Sequence, residues 1–482
     1  MTSRREALPF GFVHKCGGMN MRLGIPPAGF GGVKLLVLVA LPLWGQASYG
    51  FKRVVVDANG PAWSTVYGMH VKAVGDLDGN GYPDPIVAAS LVGGPLVWYA
   101  APGWTKHTIS TLGGWSTDAK VGDIDQDGDM DVVISSWYRP DSGLEWFENG
   151  GNGTTWTRHV IGTPRAHDLA LVDLDGDGDL DIVARDQLGD GNKLQFWRQD
   201  SPLVWTRRTL TTGVPVGEGL AVGDMDQDQD IDVVIGGIWF ENTQDIVAGP
   251  WMAHSYTATW THPHAKVATA DMNGDGRLDV ALAPSEQAGQ TYRISWFEAP
   301  ANPLSPNWTE HVIDPATDGV MHSLQVRDFD RDGDLDVLTA EMHQSGNPDE
   351  IRLYLHHPEQ PQGAKWTRHV IGSNGGHNLQ VADFDGDGYD DFFGPNWAET
   401  SVVDVWINQF RLDFNGDDHI DALDIEVLAA CGTGPSIPYD IGALPAGCTV
   451  VPDAQGYIPP DLDRDGDVDS VDFAALQREL SP

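Results

Sequence analysis

The segment AKVGDIDQDGDMDVVISS, Ala119–Ser136, decides the fold. Two runs of alternating apolar and β-branched residues flank an acidic, glycine-containing turn, which is the pattern of paired short strands and not of a helix. Reading outward, GLEWFEN at 143–149 and WTRHVI at 156–161 supply two further strands. The same order recurs along the chain. Its acidic turns begin at Asp76, Asp123, Asp173, Asp224, Asp271, Asp328 and Asp383, with spacings of 47 to 57 residues. Four short strands per unit at that period suit the blades of a propeller. The fourth unit compresses its middle: DVVIGGIWFEN at 232–242 leaves Gly236-Gly237 between two strands, a two-residue hairpin signal.

Closure follows from a displaced strand. The last-strand motif stands at Trp104, Trp156, Trp205, Trp308 and Trp366, and more weakly at Trp251. The seventh unit ends at DVWINQF, 404–410, without it, and the missing copy is FKRVVV at 51–56. An all-β, seven-bladed propeller whose last blade is completed by the N-terminal strand has no unpaired edge.

The turns read D-x-[DN]-x-[DN]-G-x-x-D. Calcium takes six to eight oxygen ligands, and a tight turn presents alternate carboxylates inward. The expected ligand sets are Asp76, Asp78, Asn80, Asp84; Asp123, Asp125, Asp127, Asp131; Asp173, Asp175, Asp177, Asp181; and Asp224, Asp226, Asp228, Asp232. They continue as Asp271, Asn273, Asp275, Asp279; Asp328, Asp330, Asp332, Asp336; and Asp383, Asp385, Asp387, Asp391. Position six needs a positive φ, so Gln229, standing where the other turns carry glycine, predicts a strained and weak fourth site. The bland alternative is a set of Asx-turns that only hold hairpins.

The turns DGNGYPD and DGDGYDDFF give the chain from Phe51 to Phe410 a resemblance to FG-GAP, or VCBS-type, calcium propellers, the family of the integrin α head and some fungal lectins. That resemblance implies about seven Ca²⁺ in the propeller. It does not name a function, because the family serves adhesion, sugar binding and some enzymes.

A small α-helical EF-hand-like region follows. DFNGDDHIDALD offers Asp413, Asn415, Asp417, Asp421 and Asp424, and DLDRDGDVDSVD offers Asp461, Asp463, Asp465, Asp469 and Asp472, each set followed by a helical run. Aspartate at position twelve resembles a dockerin type I repeat, which implies up to two more Ca²⁺ and a cohesin partner. The departures are Asp418 in place of the first loop's glycine and a long Pro/Gly-rich insert carrying Cys431 and Cys448. A self-contained calcium-stabilised cap is the alternative.

Composition agrees with cation sites. The chain has 70 Asp+Glu against 29 Lys+Arg, a formal net charge of −41, and half of those acids lie in the loops just named. Such acidity excludes a nucleic-acid partner, which needs a basic footprint. At the N-terminus Lys34 precedes LLVLVALPLW and then Gly45-Gln46-Ala47, a signal-peptide pattern with cleavage near Ala47 and a start at Met19 or Met21. No run is long enough for a transmembrane segment. The expected divisions are 1–47 leader, 48–410 propeller and 411–482 dockerin-like loops, in a secreted or cell-surface monomer.

Histidines recur six residues before the first aspartate of a turn: His70, His167, His322 and His377, with His264 seven before and Glu218 taking the place in the fourth unit. They should crowd the channel mouth, opposite the acidic turns. Trp115, Trp137, Tyr138, Trp260 and Trp397, with His343, are the aromatics expected nearby. Imidazoles with aromatic rings suit sugar recognition or a transition-metal site; the competing reading is inter-blade packing. Two functions follow: an extracellular glycan- or protein-binding module, or a carbohydrate-active enzyme (lyase, dehydratase or glycoside hydrolase) using these histidines. No G-x-S-x-G or H-E-x-x-H signature accompanies them.

Overall fold

The computed structural model describes residues 50–482 apart from 62–67, 90–93, 137–138, 140–142, 164–165, 187–192, 211–213, 244, 347, 361–364, 399, 418, 453–455 and 480–482. The leader, Trp137, Tyr138 and Asp418 therefore lie outside the described residues.

Among these residues the strands form seven four-stranded antiparallel sheets, each taking its strands in chain order except the last. That sheet consists of Gln380–Ala382, Asp391–Phe393, Val403–Asn408 and, on its outer side, Phe51–Asp57. Phe51 pairs with Asn408 and Arg53 with Trp406, so the first strand of the chain completes the last blade. In the fourth blade Ile235 pairs with Ile238 around Gly236-Gly237, and Gly237 takes φ +87, the two-residue hairpin read from the sequence.

The cores show why the ring closes. A strand presents alternate residues to opposite faces, so each blade packs on two neighbours. Val132 and Ile134 join Trp98 and Val71 between blades one and two. Val133 and Trp146 face the other way, onto Ile182 and Trp197 of blade three. The remaining interfaces repeat this arrangement through to Phe392 and Trp406 against Leu338 and Leu353, between blades six and seven. One more cluster sets Phe393 and Val405 of blade seven against Val87 and Tyr99 of blade one. A row of seven blades would leave its two end faces bare. This ring covers both.

Tryptophans on the third strands are inter-blade core. Trp98, Trp146 and Trp239 are buried and each stacks on the histidine directly across the sheet: His107, His159 and His254, at 4.4, 4.6 and 4.5 Å. His159, His254 and His311 also bond the glutamate of the adjacent third strand, at 2.6–2.8 Å. The histidine of WTRHVI is thus an architectural residue.

Beyond the propeller, two short helices, Ala422–Cys431 and Ser470–Glu479, follow the two C-terminal acidic loops. Asp421 caps the first helix reciprocally with Asp424. Leu412, Phe414, Ile420, Leu428, Ile458, Val468 and Leu476 form their common core, and a disulfide joins Cys431 to Cys448. No described helix is long and apolar enough to cross a membrane.

Candidate functional site

Each acidic turn is built the same way. The position-one carboxylate folds over the turn and accepts backbone N–H bonds: Asp76 from Asn80 and Gly81 at 3.1 and 2.8 Å, Asp123 from Asp127 and Gly128 at 3.1 and 3.0 Å. Position six closes the turn with φ between +80 and +99, glycine in six turns and Gln229 in the fourth. Gln229 lies at φ +80, a conformation that strains a residue bearing a Cβ.

Position nine does more than the sequence suggested. Asp84, Asp131, Asp181, Asp232, Asp279, Asp336 and Asp391 are all fully buried. Their Oδ2 atoms accept the N–H of turn position two, and their Oδ1 atoms an N–H at or just past the end of the third strand, at 2.6–3.0 Å throughout. These aspartates therefore tie the turn to the sheet. Burial, with the neighbouring turn carboxylates, pushes Asp84, Asp131, Asp181 and Asp279 up to about 7, Asp232 and Asp391 up to about 8, and Asp336 upward as well. Backbone donors only partly offset this, so a cation would relieve it.

The turn carboxylates also converge. In the sets Asp76/Asp78/Asp84, Asp123/Asp125/Asp127, Asp173/Asp175/Asp181 and Asp224/Asp226/Asp232, one oxygen from each residue lies within 4.8 Å of the others. Such triads fit a hard cation, whose further oxygens could come from backbone and water. Two turns already hold an arginine: Arg277 pairs with Asp275, and Arg411 stands 2.8 Å from Asp387. In the C-terminal region Asp424 and Asp472 each accept three backbone N–H bonds from their own loops. Asp417, Asp421, Asp465 and Asp469 hold the same loops by local Asx-type bonds.

Amides at the ends of third strands lock neighbouring turns. Asn149, Gln199, Asn242 and Asn408 donate to the position-two carbonyls of Leu77, Ile124, Leu174 and Phe329 in the preceding blade, at 2.7–2.9 Å. The recurring Asn of the WFEN strand was the available signal.

At the other end of the innermost strands a buried polar cluster forms. His167, Glu218, His322 and His377 are nearly inaccessible to solvent, and His70 is partly buried. His322 Nε2 lies 3.3 Å from Glu218 Oε1 and 2.9 Å from Glu286 Oε1. His167 Nε2 is 3.5 Å from Glu218 Oε2, and its Nδ1 is 3.2 Å from Asp168. Lys266 Nζ stands 3.6 Å from Glu218 and 3.8 Å from Asp168, while Ser285 donates its hydroxyl to Glu218. His377 stacks on His322 at 4.3 Å and meets His70 at 5.0 Å. Beside His377, Lys72 Nζ is 3.5 Å from Nδ1 and donates to the Met69 carbonyl.

Two electrostatic environments share this mouth. Burial works against charge on His322, yet Glu218 and Glu286 outweigh it and hold the imidazolium above its ordinary value. Burial followed by cationic neighbours pushes His70, His377 and Lys72 well below theirs. One side is thus acid-lined and the other electropositive but short of carboxylates. Below them a cavity of about 330 Å³ is lined by Asp118, Lys120, Asp168, Lys266, Gln325 and Asn378, among others.

The expected face is therefore brought together only in part. His70, His167, Glu218, His322 and His377 converge. His264 is half-buried, and its carbonyl bonds His262 and the Ser285 N–H. Trp397 meets His70 and His343 at 5.4 and 4.6 Å. Trp115, read as a surface aromatic, is instead fully buried: its indole N–H bonds the Gly94 carbonyl and Arg139 covers its ring. Trp260 is likewise packed, edge-on to Tyr292. Lys72, Lys266, Asp168 and Glu286 were missed. Lys72 and Lys266 stand two residues after His70 and His264, the strand period, so a polar residue at that step was a usable signal; Glu286, in a loop, offered none.

No curated protein matches the sequence. The FG-GAP-like repeat family matches it five times, at residues 76–134, 135–184, 173–235, 271–339 and 328–394, more than half of the chain. With seven blades closed into a ring, the chain belongs to the FG-GAP-like repeat family.

Proposed function

We propose that this protein is an extracellular, calcium-loaded propeller whose channel mouth binds a carbohydrate or a surface-protein ligand. The observation that carries the ligand reading is the convergence of His167, Glu218, His322 and His377 from four blades beside a polar cavity. Hydrogen-bonding groups of both signs around such a cavity suit a polyhydroxylated ligand. Calcium in the seven turns stiffens the opposite end, and the repeated turn geometry supports it. The C-terminal loops take up to two further ions and serve a cohesin-type partner, on the dockerin resemblance.

A second reading is a carbohydrate-active enzyme. It is favoured by His322, a buried imidazole between two carboxylates that can exchange a proton with a bound sugar.

A glycan array in calcium buffer separates the readings, run beside the double variant His167→Ala/His322→Ala with its fold checked by circular dichroism. Binding lost in a folded variant supports the module. Turnover of a polysaccharide pool, lost in the same variant, supports the enzyme. Absence of both signals defeats the proposal.

A further inference from the structure

Among the described residues, a group of side chains outside the acidic turns also has the composition and spacing of a metal centre. Glu218, Glu286 and His322 each offer one ligand atom, and the three atoms lie within 4.8 Å of one another. They come from three successive blades, so only the closed ring assembles them. His322 Nε2 stands 3.3 Å from Glu218 Oε1 and 2.9 Å from Glu286 Oε1, so an ion bound at about 2.0–2.2 Å, whose tetrahedral ligands lie roughly 3.4 Å apart, needs these atoms to open by no more than about 0.5 Å. We infer that Glu218, Glu286 and His322 bind one divalent transition ion, of the Zn²⁺, Mn²⁺ or Co²⁺ class, at the channel mouth.

The local charge supports this. Asp168, Glu218 and Glu286 bring three carboxylates to one ammonium, Lys266. Arg185 is close but directs its donors to the carbonyls of Pro215, Glu218 and Gly219. Lys72 faces Met69 and His377 instead. With the His322 imidazolium counted beside Lys266, the three carboxylates still leave an acidic excess that a bound cation would offset.

The ligand atoms are also prepared. Glu218 is 1% exposed, and its Oε2 makes no hydrogen bond; His167 Nε2 and Lys266 Nζ stand off at 3.5 and 3.6 Å. The Ser285 hydroxyl donates to Oε1, the oxygen that faces His322, the outer-shell support that metal-ligating carboxylates receive. Glu286 keeps 26% of its side chain accessible, which gives the ion a route in and leaves a coordination position open to the mouth. The imidazole distinguishes this site from the turns: a nitrogen ligand suits transition ions, whereas all-oxygen turns suit calcium. The inference does not depend on which ligand the mouth takes.

The test uses the full chain saturated with 1 mM Ca²⁺ and titrated with Co²⁺ alone. Retained cobalt is counted by mass spectrometry after gel filtration, and its coordination is read from the visible absorption band. One equivalent should persist in the presence of calcium, with at least tenfold weaker retention in Glu286→Gln and in His322→Gln, and no change in the turn variant Asp226→Asn. No calcium-resistant cobalt, or retention in both mouth variants equal to that of the parent protein, overturns the assignment. If His322→Gln loses its cooperative melt, the partly exposed Glu286→Gln decides alone.

Discussion

His322 of the sixth blade stands 3.3 Å from Glu218 of the fourth, and Ser285, just beyond the Asp279–Pro284 strand of blade five, donates to the same carboxylate. The two residues are 104 apart in sequence, and no local motif links them. The contact exists because His322 opens the innermost strand of its blade and Glu218 stands just before that of its own. Strands at that radius are close enough for side chains to reach past one neighbour. The mouth is therefore a property of the closed ring, and disturbing the ring should disturb it.

Removing the first strand tests that coupling. Deleting residues 51–57 strips the outer edge of the last blade and exposes the Val403–Asn408 strand. The truncated chain should aggregate or elute as higher oligomers in light-scattering chromatography, since an unpaired edge recruits other strands.

Calcium removal should soften the whole propeller. A site held at a hundredfold excess over its Kd contributes about 2.7 kcal/mol to the native state. Calorimetry in millimolar calcium and in excess EGTA should show a marked fall in Tm on chelation. Superimposable melts would remove calcium from the account.

The fourth turn should accept improvement. Gln229 holds φ +80, where the other six turns have glycine. Gln229→Gly should stabilise the protein by about 1 kcal/mol, read as a raised urea midpoint at unchanged slope. A lowered midpoint would show that the Gln229 side chain matters more than its strain.

Position nine should be far more sensitive. Asp181→Ala removes acceptors from Leu174 N–H and Gln199 N–H, both left buried. The expected loss is about 3 kcal/mol or more, with or without calcium. A loss confined to calcium-loaded protein would assign this residue to the ion alone.

His369 sets a pH dependence on the outer strand of blade six. Burial, with His419 and His357 nearby, pushes it down to about 4 from an ordinary 6.5. The folded state thus resists protonation while the unfolded chain does not. The stability it supports is intact above pH 6.5 and falls progressively toward pH 4, by up to about 3 kcal/mol. Urea midpoints at pH 7.5 and 4.5 should converge in His369→Gln relative to the parent. An unchanged difference would place the acid sensitivity elsewhere.

Much of the architecture was legible because it rests on local rules repeated seven times. Alternating strands, the glycine at position six and the displaced FKRVVV strand each follow from backbone sterics or from the need to pair an edge, and repetition let one unit check another. Trp115 was misplaced because loop aromatics look alike in sequence whether they face solvent or the next blade. Position nine was read as a ligand only, because its partners, such as Ala101 and Asn149, lie at the end of a different strand.

What the amino-acid order determined by itself was the blade, the turn and the count, since each depends on residues within one repeat. What the tertiary structure alone decided was the mouth: which of the recurring polar side chains meet, and with what charge. Among the described residues no carboxylate pairs with Lys72 while Lys266 has two, although each stands two residues after a histidine. Their environments differ because neighbours come from other blades, and through-space electrostatics in a buried site depends on distances that the chain order does not carry.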